Sequence, residues 1–221
     1  HDDTPYEKAC EALMYIQKLS FTEAETTLLA HAKALVKSAP TETTNLLMTI
    51  CTPKGCREWG SSQEQHKNKK EQRMCSNPEA YLPAFVDYSS DRDNKFSYQL
   101  ELRRFLWHVV ATDSATVKVW NTLLELCLHG AIKDTKESNK GSATSTEEVM
   151  KILKNPKAKY DVDQALVLVQ RHHFAKGQLY LYEKRKYYHM IIQHYMDLGD
   201  HRSILSTGRK YGDRDSNLWR K

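Results

Sequence analysis

Helix-start signals recur at short intervals along this sequence, and they constrain its fold more than any other feature. In a capping box, a hydroxyl residue and a glutamate three positions later satisfy each other's free backbone N–H groups. Thr4-Pro5-Tyr6-Glu7 and Ser20-Phe21-Thr22-Glu23 have this form. Further starts are predicted at Thr41 with Thr44, at Asn77-Pro78-Glu79-Ala80, at Ser145 with Glu148, and at Asp161 with Gln164. Because the turns between successive starts are short, neighbouring helices are expected to run antiparallel.

Apolar side chains recur with a helical period after these starts. Ala165, Leu166, Leu168 and Val169 form one such stripe after Asp161. A stripe of this spacing buries one face of a helix. The same pattern predicts a helix over Phe96–Val110, with Trp107 packed in the core or between helices. It also predicts a second helix that turns Val117, Trp120, Leu123, Leu124, Cys127 and Leu128 inward.

The last third, 161–219, shows a loose internal repeat. Helix-hairpin starts near Asp161, Lys186 and Asp213 give steps of 25 and 27 residues, within the range of helical-repeat proteins. Gly199 and Gly212 follow apolar segments, where a glycine commonly adopts the left-handed conformation that ends a helix. Asp200 is placed to cap the helix that follows. The pattern predicts an all-α fold, an α-solenoid of stacked antiparallel helix hairpins.

Composition agrees with helices and sets the limits of the segment. The 221 residues include only 8 Gly and 6 Pro, and no apolar run is long enough to span a bilayer. From the polar start HDDTPYEK we expect no signal peptide, and we interpret the chain as a piece of a longer protein. We predict one α-solenoid segment over 1–221, with helical blocks at about 4–51, 78–132 and 145–219. Polar loops are predicted at about 52–77 and 133–144, and a turn at Asp91–Asn94.

Two groups of residues contain metal-ligand side chains, but the sequence favours a metal site at neither. Cys51, Cys56, His66 and Cys75 are spaced too widely for a typical zinc site, and the odd total of five cysteines indicates free thiols. His172 and His173 are adjacent on a helix, so their side chains point about 100° apart and cannot share one metal.

No catalytic, cofactor-binding or metal site is therefore predicted, and the chain is not expected to be an enzyme. The acids Asp161, Asp163, Asp197 and Asp200 are attributed to helix starts, where negative charge is favourable. The tyrosines of the last third are attributed mostly to packing. They are Tyr180, Tyr182, Tyr187, Tyr188 and Tyr195.

Basic residues form two short clusters in a chain of formal net charge +5. One is Lys67, Lys69, Lys70 and Arg73; the other is Lys184, Arg185 and Lys186. A nucleic-acid-binding protein typically has a longer basic stripe with exposed aromatic residues. We interpret both clusters mainly as solvated charge, with contact to anionic lipid or nucleic acid as the alternative.

Several segments, in the same order along the chain, resemble one known family. They are 165–183 (ALVLVQRHHFAKGQLYLYE) with Ile191, Ile192 and 194–196, then 12–52, 77–85, 122–126, and 211–213 with 218–219. They are similar to the clathrin-heavy-chain-repeat region of the vacuolar protein sorting-associated protein 11 family. The loops 53–76 and 129–146 depart from it. The resemblance implies a right-handed α-solenoid without the family's β-propeller or RING zinc domain.

The resemblance also implies a function. The chain is expected to be a non-enzymatic scaffold of the HOPS and CORVET tethering complexes, binding their other class C subunits and, through the complex, Rab and SNARE proteins. The expected location is cytoplasmic, peripheral on the cytosolic face of endosome and vacuole or lysosome membranes, with no cofactor and no nucleic acid. The alternative is a generic helical-repeat adaptor that binds peptide or nucleic acid.

Overall fold

The structure, a computed structural model, describes residues 4–59, 75–86, 92–112, 115–137 and 142–212. Within these ranges every regular element is a helix, which confirms the predicted all-α class of stacked helix hairpins. The chain divides into two compact units, His1–Leu126 and Cys127–Lys221, and the boundary falls inside one helix. The prediction that 1–221 form a single solenoid segment, and that the solenoid is right-handed, stays a prediction.

The first unit begins with three helices joined by short turns: α1 (Pro5–Ile16), α2 (Phe21–Ser38) and α3 (Pro40–Ile50). Both predicted capping boxes are confirmed. The Thr4 N–H donates to Glu7 Oε2 at 2.8 Å, and the Ser20 N–H donates to Glu23 Oε2 at 3.2 Å. The bond from Thr4 N–H holds the pKa of Glu7 below its ordinary value.

A fourth helix, α4 (Pro53–Glu58), lies where a polar loop was predicted, and that prediction is wrong for these residues. The segment folds because its bulky side chains are buried. Cys56 and Trp59 are 1% and 8% exposed, and the Trp59 indole N–H donates to the Leu19 carbonyl at 3.2 Å. Gly55 allows the close approach, since a Cβ there would lie 2.7 Å from the backbone carbonyl carbon of Thr49. A bond between residues 40 positions apart cannot be read from a local pattern.

The rest of the first unit contains a 3₁₀ helix (Pro78–Phe85) and α5 (Arg92–Ala111). Asn77 caps the 3₁₀ helix as predicted, accepting from the Glu79 N–H at 3.0 Å. The predicted turn at Asp91–Asn94 is corrected, because α5 already begins at Arg92. The buried residues of this unit include Leu28, Leu47, Tyr81 and Phe105, which form the centre of its core.

Helix α6 (Val117–Glu137) carries the unit boundary, and α7 (Ser142–Lys154) follows it. Trp120, Leu123, Leu124, Cys127 and Leu128 are buried as predicted. Val117 is 48% exposed, so its inward placement was wrong. The second predicted loop is also shorter than 133–144, because α6 extends to Glu137 and α7 starts at Ser142.

The second unit continues with four short helices of nearly equal length. They are α8 (Val162–Arg171), α9 (Ala175–Arg185), α10 (Tyr188–Asp197) and α11 (His201–Tyr211). Each begins 13 residues after the one before, so each hairpin advances the chain by 26 residues. This regular step replaces the loose 25 to 27 predicted from the sequence. Consecutive helices pack on each other, as hairpins of a helical repeat do.

The same turn geometry closes all three connections between these helices. His173, Lys186 and Gly199 have φ of 52°, 61° and 68°, and they too are 13 residues apart. At the last turn, the Gly199 N–H donates to Met196 O at 3.0 Å and the Asp200 N–H to Tyr195 O at 2.9 Å. This pair of bonds is a Schellman motif, and the other two turns repeat it.

The left-handed conformation predicted for two helix-end glycines is confirmed at Gly199 and wrong at Gly212. Gly199 is left-handed as predicted, and Asp200 caps α11 by accepting from the Ser203 N–H at 3.1 Å. Gly212 has φ −57° and ψ −35°, an ordinary helical conformation, so the left-handed prediction was wrong there.

Candidate partner-binding surfaces

The zinc grouping that the sequence does not favour can be examined at three of its four residues. Cys51 and Cys56 are buried and Cys75 is partly buried. The Cys56 thiol donates to the Ile50 carbonyl at 3.0 Å and also lies within hydrogen-bonding reach of Cys75. Burial raises the pKa of the Cys51 thiol above its ordinary value and that of Cys56 to about 12. His66 lies outside the described residues.

Burial therefore favours the protonated form of the Cys51 and Cys56 thiols. Over 4–59, 75–86, 92–112, 115–137 and 142–212, no group of three or more His, Cys, Asp or Glu side chains could hold a metal ion. The cysteines therefore act in the described structure as small packed side chains.

The adjacent histidines occupy a helix end and take different roles. The His172 ring meets the His129 ring edge-on, with 4.7 Å between centroids. His173 is exposed and adopts the left-handed conformation of the turn. The structure thus gives the pair one packed ring and one solvated ring, an arrangement unlike a shared metal site.

Three of the four acids attributed to helix starts are found there. The Asp161 carboxylate accepts from the Asp163 and Gln164 N–H groups at 2.8 and 3.2 Å, and Asp163 lies in the first turn of α8. Asp200 caps α11, and the Ser203 hydroxyl that donates to it holds its pKa below the ordinary value. Asp197 was misplaced, because it ends α10 and accepts from the Gln193 amide at 2.8 Å.

The tyrosines of the last third are mostly packed, although the structure distinguishes them. Tyr182, Tyr188 and Tyr211 belong to one buried cluster, in which the Tyr188 and Tyr211 rings stack at 4.3 Å. The Tyr182 hydroxyl accepts from two glutamine amides, at 2.8 and 3.0 Å. Tyr187 is 39% exposed. In the first unit, Trp120 is buried and Trp107 is half-buried.

The first unit contains a cavity of about 620 Å³ between α1, α3 and α4. Its wall includes the carboxyl residues Glu42 and Glu58, the amide of Asn45 and the ring of Trp59. Glu42 is engaged, since it accepts from the Tyr6 hydroxyl at 2.8 Å. The lining of this cavity thus combines polar groups with one aromatic ring.

The second unit exposes large apolar side chains on its last hairpin. Met196, Leu198 and Leu205 are 56%, 66% and 53% exposed. Leu205 holds the repeat position that Leu166 and Leu179 occupy in α8 and α9, where both pack partly buried against the tyrosine cluster. The same position is therefore covered in the earlier helices and open in α11. Exposed apolar faces of this kind mark sites of protein association.

The structure describes only one of the two basic clusters of the sequence. Lys67, Lys69, Lys70 and Arg73 lie outside the described residues. Lys184, Arg185 and Lys186 lie at the carboxyl end of α9 and are exposed.

None of the helices in the described ranges is both long enough and apolar enough to cross a membrane.

Comparison with known proteins gives one consistent relationship. A family model described as "PEP5/VPS11 Clathrin repeat" matches residues 2–221. The chain is 32% identical over 213 residues to the human vacuolar protein sorting-associated protein 11 homolog. The aligned region covers 95% of this chain and 20% of the human protein. It is 29% identical to the homolog of Dictyostelium discoideum and 28% identical to that of Arabidopsis thaliana, in each case over 95% of this chain.

The chain thus spans 20 to 26% of the length of these relatives. No solved structure matches it. With the family model matching nearly the whole chain, on a fold of stacked helix hairpins, this chain belongs to the PEP5/VPS11 clathrin-repeat family.

Proposed function

We propose that the chain is a non-enzymatic scaffold segment of a membrane-tethering complex that serves protein sorting to the vacuole or lysosome. The observation that carries this proposal is the regular 13-residue step from α8 to α11. Because regularly stacked helices form a rigid rod, they fix the distance between the protein modules attached at the two ends of the segment. Family membership supports it, since the relatives are named for vacuolar protein sorting. Its expected setting is the cytosolic face of endosome and vacuole or lysosome membranes.

The partners proposed are the other class C subunits of HOPS and CORVET, with Rab and SNARE proteins engaged through the complex. The open face of α10 and α11 is the proposed contact. Met196, Leu198 and Leu205 offer apolar area there, and burial is worth about 25 cal/mol for each Å² removed from water. A partner that covers these three side chains removes them from water without disturbing the buried core of the unit.

The test is a pull-down of the 221-residue chain with each candidate subunit, expressed separately. We expect one subunit to bind, and Leu205→Asp to weaken that binding by at least tenfold. Leu29→Asp is a matched control, because Leu29 is a similarly exposed leucine, 48% against 53%, on a helix of the first unit. Binding that survives Leu205→Asp, or that is lost equally in the control, would reject α11 as the contact. A chain that binds no subunit would reject the partner-binding role.

A further inference from the structure

The carboxyl ends of α7, α9 and α11 bring exposed cations together along one edge of the second unit. This edge, the basic rim, comprises Lys154, Lys157, Lys159, Lys184, Arg185, Lys186, Arg209 and Lys210. The three stretches are joined by direct bonds. Lys184 Nζ donates to the Tyr160 hydroxyl at 2.8 Å, and Tyr160 in turn donates to the Leu153 carbonyl at 2.7 Å. Lys210 Nζ donates to Glu183 at 2.9 Å.

The rim has a clear excess of positive charge. Among the residues that the structure describes, three carboxylates, Asp161, Asp163 and Glu183, lie among the eight cations, which leaves five positive charges in excess. Arg185 pairs with Asp163 at 2.5 Å and Lys210 with Glu183. Cations in the last turn of a helix are explained by the helix dipole. Lys157 and Lys159 lie three and five residues beyond the end of α7, so the dipole does not account for them.

Lys186 is the most informative residue of the basic rim. It adopts φ 61°, although left-handed backbone costs a side-chain-bearing residue about 1–2 kcal/mol, and the equivalent turn at 199 uses glycine. Its side chain is exposed and makes no hydrogen bond or ion pair to any residue in the described ranges. The turn uses only the backbone of residue 186, whose N–H donates to the Glu183 carbonyl at 3.0 Å, so the fold does not require the lysine side chain. That side chain is available to a partner outside the chain.

We propose that the basic rim binds the surface of a membrane rich in anionic phospholipid. Clusters of four to eight Lys or Arg are typical of such binding, at about 1 kcal/mol for each cation near the surface. Six of the eight cations are lysines, whose compact charge suits a diffuse anionic surface, whereas bidentate contacts to nucleic-acid phosphates favour arginine. Tyr187, 39% exposed beside Lys186, is an amphipathic side chain of the kind found at lipid headgroups. The inference is independent of the proposed scaffold role, since it needs no partner subunit.

The test is co-sedimentation of the 221-residue chain with vesicles of phosphatidylcholine alone or with about 30 mol% phosphatidylserine, an anionic lipid of the cytoplasmic leaflet. We expect binding only to the anionic vesicles, weakening as salt is raised. Lys186→Gly is the decisive variant. It should bind about fivefold more weakly, as expected for one lost cation, while the protein becomes more stable because the strain is relieved. A misfolded variant would not show both effects.

A charge reversal and its matched control complete the test. Lys157→Glu/Lys159→Glu/Lys186→Glu should weaken vesicle binding at least about a hundredfold. Lys8→Glu/Lys18→Glu/Lys37→Glu makes the same change of charge at exposed lysines of the first unit, and should cost less than about tenfold. An equal loss in both triple variants would overturn the proposal, as would wild-type binding by Lys186→Gly. Displacement of the chain from vesicles by single-stranded RNA at equal phosphate concentration would also overturn it, in favour of a nucleic-acid surface.

Discussion

A substitution at Gly199 tests whether left-handed backbone conformation closes the three turns. The site has room for a larger side chain, so a substitution there changes only the conformational energy of the backbone. Its φ is 68°, and a Cβ built on it would have no atom within 4 Å. Gly199→Ala therefore adds no clash, and its only native-state cost is the left-handed conformation, about 1–2 kcal/mol. Alanine also restricts the unfolded chain, which returns about 0.4–1 kcal/mol. We expect a net loss of about 0.5–1 kcal/mol in the free energy of unfolding.

His173→Gly is the reverse experiment at the equivalent turn. The His173 side chain is exposed and makes no hydrogen bond or ion pair to the described residues, so its removal should relieve strain at little cost. We expect a gain of about 0.5–1 kcal/mol, the mirror image of the Gly199→Ala effect. Urea denaturation followed by circular dichroism at 222 nm measures both. The corresponding shift of the melting temperature should be about 2–4 °C for each kcal/mol.

The two results together decide whether the turns are equivalent. If Gly199→Ala were neutral while His173→Gly destabilised the protein, the left-handed geometry would not be what closes these turns. The 13-residue step would then have no common structural cause. An unchanged slope of unfolding against urea is required for the comparison, since a changed slope would indicate a different unfolded ensemble.

Three further results are expected from the first unit. Gly55→Ala should destabilise the protein by about 3 kcal/mol in urea denaturation. The added Cβ would lie 2.7 and 2.8 Å from backbone atoms of Thr49, which cannot move aside. A cost below about 1 kcal/mol would contradict that packing. Ser20→Ala should cost about 1 kcal/mol at pH 7 through loss of the α2 cap. The Ser20 hydroxyl lowers the pKa of Glu23 in the folded protein. The stability that this bond contributes is therefore present above the pKa of Glu23 in the unfolded chain, and it is lost as the pH falls through the folded pKa. If the cost of Ser20→Ala were the same at every pH between about 7 and 3, this coupling would be refuted. Burial raises the pKa of the Cys56 thiol to about 12, so iodoacetamide should alkylate it at pH 8 far more slowly in the native protein than in urea, by peptide mass spectrometry. Rapid native alkylation of Cys56 would refute its burial.

Local signals predicted most helix starts correctly, because each cap is made by residues within three positions of each other. Thr4, Ser20, Asn77, Asp161 and Asp200 all accept from backbone N–H groups at the start of a helix. The same locality explains the errors. Asp197 looks like a helix-start acid by type, but its position at the end of α10 depends on where the preceding turn closes.

The 13-residue step was largely hidden because three different residue types occupy the equivalent turn position. Only Gly199 carries a recognisable signal for left-handed backbone, whereas His173 and Lys186 adopt it against their preference. Weak identity between helices is thus compatible with strict regularity, since the hydrogen bonds of the turn are made by the backbone. A search for repeated residues finds little in such a chain.

The basic rim and the α4 helix were missed for a different reason. Both depend on contacts between residues distant in sequence, such as Trp59 with Leu19 and Lys184 with Tyr160. The cluster at Lys184–Lys186 looked like solvated charge when read alone. It becomes part of a larger surface only when the ends of α7 and α11 are placed beside it.

The contrast between Leu205 and Leu179 connects the repeat to partner binding. The two leucines hold the same repeat position, but Leu179 packs against the tyrosine cluster and Leu205 is 53% exposed. Leu179→Asp should therefore cost about 2–5 kcal/mol, the range for deleting a packed leucine, while Leu205→Asp should stay within about 0.5 kcal/mol in the same urea titration. If Leu205→Asp were as destabilising as Leu179→Asp, Leu205 would already be covered within the chain, and the open face of α11 would not be available to a partner. A stable Leu205→Asp variant that no longer binds is the combination that a scaffold surface requires.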